Sequence, residues 1–276
     1  YQSPNVDNGY DISDYQAIQP EFGTMADFDE LLKQAHRRGI RIVMDLVVNH
    51  SSDQHPWFVE SRKSKDNPYR DYYIWREPKA DGSAPNNWGS CFGGSAWQLD
   101  PETNMYYLHL FAPQQPDLNW KNPDVHEEFK KTLRFWSDHG TDGFRIDVAH
   151  GLAKDLESKP LEELGREYSV VGVLNHDFSH PLFDRREVHD IYREWRKVFN
   201  EYNPPRFAVA EAWVVPEHQH LYASMDELGQ SFNFDFAQAN WYADEFRKAI
   251  AAGLKALPGW SAVAQFRLTE TSASWV

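Results

Sequence analysis

Cysteine is nearly absent from this sequence of 276 residues, and Cys91 is its single example. No disulfide can therefore form within the chain, which is typical of a reducing compartment and predicts a cytoplasmic location. The sequence also has no apolar run near the roughly 20 residues that a membrane helix needs. It does not open with a basic segment followed by an apolar one, as a secretory signal does. We therefore expect no membrane partner.

Positive charge is scarce as well, with 28 Lys and Arg against 42 Asp and Glu, which gives a net charge of −14 with His neutral. A surface of that sign repels phosphate backbones, so we expect no nucleic-acid partner. The composition, 41% hydrophobic and 25% charged, is that of a folded globular protein. The length suits one large domain or two of ordinary size.

The two ends of the sequence lack the features of natural termini. The chain begins with Tyr1 in a loop-like stretch, and Trp275 and Val276 resemble the beginning of an apolar strand. We therefore expect an internal piece of a longer protein.

Helical and strand patterns alternate along much of the chain. Asn122 suits an N-cap, Pro123 the first helical position, and Gly140 the residue that ends a helix. Helices are predicted over about 24–38, 122–139 and 184–200, and strands over 40–48, 143–147, 207–211 and 231–236. Such alternation predicts a parallel α/β sheet or barrel.

One long segment, 51–116, interrupts this alternation. It is rich in Asn, Gly, Pro, Trp and Tyr, and it is too long for a plain loop. We interpret it as a small subdomain inserted after the first strand. The predicted division is therefore 1–50 for a first barrel part, 51–116 for the insertion and 117–276 for a second barrel part.

Polar side chains follow the predicted strands where each one ends. His50 follows the first strand, Arg145 and Asp147 end the second, and Glu211 ends the third. The carboxyl ends of parallel strands meet on one face of the fold, and that face carries the chemistry. Arg145 and Asp147 are two residues apart on a strand, so their side chains point the same way.

The Asp147 and Glu211 carboxyls are expected to influence each other if their strands are neighbours. Two negative charges about 5 Å apart repel by roughly 3 kcal/mol at an effective dielectric of about 20. That energy is on the order of two pKa units. With Arg145 beside Asp147, we expect Asp147 to be ionised and Glu211 to be protonated. Carboxyls about 5–5.5 Å apart are the geometry of a retaining glycosidase.

Several motifs resemble those of the α-amylase superfamily, glycoside hydrolase family 13, in the form typical of oligo-1,6-glucosidases and related α-glucosidases. The segments that carry the resemblance are Asp45–His50, Gly143–His150, Glu211–Trp213 and Gln115–Asn119, with 7–15 and 61–67 in addition. The resemblance implies a partial TIM (β/α)8 barrel, from about the end of strand 2 to the start of strand 7, with the small subdomain inserted after strand 3.

The resemblance also implies roles for individual residues. Asp147 would be the nucleophile and Glu211 the general acid/base of a glycosidase. The substrate-binding residues would be Asp7, Tyr10, His50, Phe111, Gln115 and Arg145. The substrate would be a short α-glucoside or oligosaccharide.

The family's third catalytic carboxylate has no counterpart after residue 213, so the chain alone is expected to be inactive. We expect no metal site and no cofactor in this chain. The resemblance leaves room for calcium in a longer parent protein, with ligands outside this chain.

Some alternatives stay open at this point. By resemblance, a valine directly after the nucleophile, here Val148, is the residue found in enzymes that accept α-1,6 linkages. The sequence does not fix whether the linkage is α-1,4 or α-1,6. A glucosyl transferase of the sucrose isomerase or trehalose synthase type would use the same motifs. A non-catalytic ectodomain of the same fold, associated with a transporter, would lack the carboxylates. Asp45 is expected to be a buried hydrogen-bonding anchor.

Overall fold

The structure, a computed structural model, describes residues 1–157 and 175–256. The expected strand at Trp275 and Val276 lies outside the described residues. The helices are α1 (Met25–His36), α2 (Pro56–Ser61), α3 (Pro123–His139), α4 (Val188–Phe199), α5 (Pro216–Tyr222), α6 (Phe234–Gln238) and α7 (Ala243–Ala256). The strands are β1 (Val43–Val47), β2 (Trp75–Arg76), β3 (Trp97–Asp100), β4 (Met105–Leu108), β5 (Gly143–Asp147), β6 (Phe207–Ala210) and β7 (Gly229–Ser231).

Four of these strands form a parallel sheet in the order β1-β5-β6-β7, with a helix in each crossover. The register pairs Asp45 with Arg145 and Val47 with Asp147. Arg145 pairs with Val209 on its other side. The carboxyl ends of β1, β5 and β6 therefore meet at one edge, as the sequence predicted for a parallel sheet or barrel.

Helix α3 shows how local sequence positions this sheet. The Asn122 side chain accepts a hydrogen bond from the Asp124 N–H at 2.9 Å, and Gly140 ends the helix at a φ of 109°. One stripe of the helix is completely buried, and it consists of Val125, Phe129, Leu133 and Trp136. Each such side chain stabilises the fold by roughly 1.5–3 kcal/mol. This stripe packs in the same core cluster as Phe144 and Ile146 of β5.

The segment 51–116 contains a sheet of its own, antiparallel in the order β2-β4-β3. One isolated bridge pairs His50 with Asp117, the two residues that flank this segment, and another pairs Tyr73 within the segment with Leu118. The predicted division into 1–50, 51–116 and 117–276 stays a prediction.

The predicted strand over 231–236 was wrong in extent. Strand β7 ends at Ser231, and helix α6 begins at Phe234. The cause is a cap, because the Asn233 side chain accepts a hydrogen bond from the Phe236 N–H at 2.9 Å. This bond favours a helical turn although the residues alternate between apolar and polar.

No helix within residues 1–157 and 175–256 combines the length and the apolar content needed to cross a lipid bilayer.

Candidate active site

A pocket of about 440 Å³ lies at the carboxyl ends of β1, β5 and β6. Its lining consists of Asp7, Tyr10, His50, Cys91, Phe92, Phe111, Arg145, Asp147, Val148, Glu211 and Trp213. Every predicted site residue except Gln115 lines it. Gln115 is completely buried behind the wall and contacts both Asp7 and His50.

One guanidinium joins three carboxylates at the base of this pocket. Arg145 Nη1 lies 2.8 Å from Asp45 Oδ1 and 2.5 Å from Asp147 Oδ1, and Nη2 lies 2.8 Å from Glu211 Oε2. The register explains the arrangement, because Asp45 lies opposite Arg145 and Glu211 follows the neighbouring strand β6. The planar, permanently charged fork of arginine suits several carboxylate oxygens at once.

Asp147 and Glu211 are close enough for a side-chain hydrogen bond with each other. One guanidinium also contacts both carboxyls, through Nη1 and Nη2, whereas an inverting glycosidase separates its two carboxyls by about 6.5–9.5 Å. The contact fits the narrow arrangement in which one carboxylate attacks the sugar directly.

The surroundings of Asp147 oppose the ionisation that the sequence predicted for this carboxyl. Burial, followed by the charge of Glu211, raises the pKa of Asp147 to about 8. Arg145 lowers this pKa, but by less than either of these two effects raises it. The expectation of an ionised Asp147 and a protonated Glu211 stays a prediction. The sequence could not show that Asp147 is only 7% exposed.

The Glu211→Gln variant is expected to lower the pKa of Asp147 from about 8, because it removes the neighbouring negative charge. The pKa should stay above the ordinary value of 3.8, since burial persists. Titration of the Asp147 carboxyl by carbon-13 NMR measures the shift. Asp45→Asn is the matched control and should lower the pKa less, because Asp45 is a weaker contributor. An unchanged pKa in Glu211→Gln would contradict this account.

Two further donors hold Glu211, and neither was assigned from the sequence. The Val148 backbone N–H donates to Glu211 Oε2 at 3.0 Å, and the Trp213 indole N–H donates to Oε1 at 3.0 Å. Val148 adopts a left-handed conformation with a φ of 46°, which is rare for a β-branched residue. The Trp213 ring stacks on Phe234 at 3.6 Å between centroids. The Glu-x-Trp spacing was the available signal for Trp213.

The opposite wall of the pocket combines rings with polar groups. His50 Nε2 lies 3.2 Å from the Tyr10 carbonyl oxygen, and the His50 and Phe111 ring centroids are 4.9 Å apart. Tyr10 donates its hydroxyl to Asp45 Oδ2 at 3.0 Å. The expectation for Asp45 holds for its hydrogen bonds but not for its burial, since its side chain is 43% exposed.

A buried lysine behind the pocket was also missed. Lys154 Nζ donates to Asn49 Oδ1 at 2.8 Å and to the Gly151 carbonyl at 2.7 Å, and it lies 3.0 Å from Asp117 Oδ2. The ammonium fills the space between these three oxygens. Burial lowers the pKa of Lys154, while Asp117 raises it. Within the described residues, no group of three or more His, Cys, Asp or Glu side chains is placed to hold a metal ion.

Parallel strands joined through helices, with a pocket at their carboxyl ends that holds Asp147 and Glu211, are typical of the (β/α)8-barrel class of proteins. The family model of the alpha-amylase catalytic domain matches residues 1–265. The chain therefore belongs to the alpha-amylase family, glycoside hydrolase family 13, as its motifs predicted. The partial (β/α)8-barrel fold predicted from the resemblance is confirmed.

The chain is similar to several characterised proteins. It is 50% identical over 240 residues to an oligo-1,6-glucosidase of Parageobacillus thermoglucosidasius, which covers 85% of this chain and 41% of that protein. A solved structure of the alpha-glucosyl transfer enzyme XgtA has a TM-score of 0.82 at 34% identity, covering 93% of this chain and 49% of XgtA. A variant of the trehalulose synthase MutB has a TM-score of 0.81 at 40% identity, covering 93% and 47%. The chain thus spans less than half the length of each.

Proposed function

We propose that a full-length protein containing this chain is a retaining glycosidase that acts on short α-glucosides by double displacement. The observation that carries the proposal is the contact between the Asp147 and Glu211 carboxyls, with Arg145 bridging both. Asp147 attacks the anomeric carbon while Glu211 protonates the leaving oxygen. Glu211 then removes a proton from the incoming water, and the sugar is released from Asp147.

The first step requires an ionised Asp147 and a protonated Glu211, whereas burial and neighbouring charge favour a proton on Asp147. The hydrogen bond between the two carboxyls gives that proton a direct path to Glu211. The proton moves before the glycosidic bond breaks, because Asp147 must be ionised when the anomeric carbon gains positive charge in the transition state. The pair therefore begins and ends the reaction with one shared proton.

The form of the pocket supports a small substrate. A volume of about 440 Å³ accommodates one sugar ring and part of a second. Tyr10 and Phe111 provide rings, and Asp7 and His50 provide polar groups for the sugar hydroxyls. Val148 supports acceptance of α-1,6 linkages, because by resemblance valine is the residue at this position in enzymes with that activity. We also propose a cytoplasmic location, which rests on the single cysteine.

A glucosyl transferase is the second candidate, favoured by the similarity to trehalulose synthase at 40% identity. In that reaction a sugar hydroxyl replaces water as the acceptor, and the same two carboxyls act. Chromatography of the products from sucrose and from isomaltose distinguishes the two: free glucose supports hydrolysis, and a new disaccharide supports transfer.

Trapping with a fluorinated α-glucosyl donor tests the mechanism directly. The second step is slowed, so the glycosyl-enzyme accumulates, and peptide mapping is expected to find the label on Asp147. The Asp147→Asn variant is the control and should remain unlabelled. A label on any other residue would overturn the assignment of the nucleophile.

A further inference from the structure

The His50 ring lies between the pocket and a buried polar chain. Its Nε2 edge contacts the Tyr10 carbonyl oxygen at 3.2 Å, on the side of the pocket lining. Its Nδ1 edge contacts Asn49 Nδ2 at 3.2 Å, and Asn49 Oδ1 accepts a hydrogen bond from Lys154. Asn49, His50 and Lys154 are all buried, with exposed fractions of 0%, 1% and 6%. These contacts are direct, and none of them needs a bridging water molecule.

The lysine determines which way the Asn49 amide points. An ammonium has three donors and no acceptor, so the atom of Asn49 that faces Lys154 must be the oxygen. The amide NH₂ group then faces His50 Nδ1. Because that NH₂ group is a donor, Nδ1 must accept, and the single proton of a neutral ring must be on Nε2.

On the other edge of the ring, the Tyr10 contact agrees with this assignment. A proton on Nε2 donates to the Tyr10 carbonyl, which can only accept. Gln115 Nε2, which donates to Asp7 Oδ2 at 2.9 Å, lies 3.1 Å from the same ring nitrogen, and its second N–H is the one contact that favours the other tautomer. The Nε2-protonated ring therefore makes two good hydrogen bonds, with Asn49 and Tyr10. The Nδ1-protonated ring would make only one, with Gln115.

The ring is neutral at physiological pH, because burial lowers the pKa of His50 to about 4. The neutral ring can therefore carry its proton on either Nδ1 or Nε2, and the contacts determine which of the two tautomers forms. A buried donor that faces another donor loses its hydrogen bond without any compensation from water. The tautomer with fewer such contacts is therefore the one selected.

We infer that Lys154 and Asn49 are positioning residues that fix His50 as the Nε2-protonated tautomer and so make it a hydrogen-bond donor towards the pocket. Lys154 orients the Asn49 amide, and the amide orients the proton of the ring. Under the proposed function, which this inference deepens, a sugar hydroxyl that reaches this edge of the ring accepts from the Nε2–H and shares it with the Tyr10 carbonyl. The tautomer itself does not depend on any activity.

Nitrogen-15 NMR of the full-length protein, labelled at histidine, tests the inference without substrate. Long-range proton–nitrogen correlations distinguish the protonated ring nitrogen from the unprotonated one, and the His50→Gln variant identifies the His50 signals. We expect protonated Nε2 and unprotonated Nδ1 in the wild type. In Asn49→Asp, a carboxylate oxygen faces Nδ1, and we expect a proton on Nδ1.

Lys154→Met is the second variant. It frees the Asn49 amide to turn its oxygen to the ring, so we expect signals of protonated Nδ1 to appear. Lys121→Met makes the same change at a half-exposed lysine and should leave the His50 signals unchanged. If Lys154→Met does not fold, the Asn49→Asp variant tests the inference by itself, because it keeps Lys154 together with its ion partner.

Protonated Nδ1 in the wild type, or unprotonated Nδ1 in Asn49→Asp, would overturn the inference. Either result leaves the glycosidase proposal intact, and a failed trapping experiment leaves the tautomer assignment intact.

Discussion

Replacement of Asp147 by asparagine in a full-length protein containing this chain is expected to reduce kcat by about 10⁴-fold or more. An amide cannot form the glycosyl ester, whereas its size and shape match those of the carboxyl. Arg145 retains Asp45 and Glu211 as partners in the variant. Steady-state kinetics on an aryl α-glucoside measures the loss.

The loss in Asp147→Asn should not arise from unfolding. A carboxyl whose pKa is raised from 3.8 to about 8 in the folded protein decreases the stability as pH rises across that interval. The uncharged amide lacks this penalty, so the variant is expected to be at least as stable as the wild type at pH 8. Asp177→Asn, at a fully exposed carboxyl, is the control and should retain full activity. Near-normal turnover by Asp147→Asn would exclude Asp147 as the nucleophile.

The Arg145→Met variant is expected to lose about 3–5 kcal/mol of free energy of unfolding. It leaves Asp45, Asp147 and Glu211 facing one another without the cation that contacts all three. Urea unfolding followed by tryptophan fluorescence measures the difference. Arg145→Lys should lose less, because an ammonium retains the positive charge. It should still lose some stability, because an ammonium cannot replace the contacts of both Nη1 and Nη2.

Arg134→Met is the matched control for this stability measurement. Arg134 and Glu201 form a close ion pair at 2.6 Å, but both side chains are about 40% exposed, so the loss should stay below about 1 kcal/mol. Equal losses in Arg145→Met and Arg134→Met would show that the three carboxylates do not need a common cation.

The elements predicted well are those specified by neighbouring residues. Helix α3 begins after Asn122 and ends at Gly140, as predicted, because a cap and a left-handed glycine act within one helical turn. The adjacency of Asp147 and Glu211 was also expected, since parallel strands of this length bring their carboxyl ends together.

The features that were missed depend on distant parts of the chain. Lys154 pairs with Asp117, 37 residues away in sequence, and nothing beside either residue indicates the pairing. The raised pKa of Asp147 was also missed, because the burial of this carboxyl arises only when the pocket is assembled. The helical cap at Asn233 was a local signal, and the alternating aromatic residues around it concealed it.

The bond from residue 148 to Glu211 uses a main-chain amide, so any amino acid other than proline supplies the same donor. Val148 is also part of the pocket lining. Evolution or an engineer can therefore vary the side chain at this position while Glu211 keeps its main-chain donor. The left-handed backbone limits which amino acids fit at this position, and glycine or asparagine should be accommodated there with the least strain.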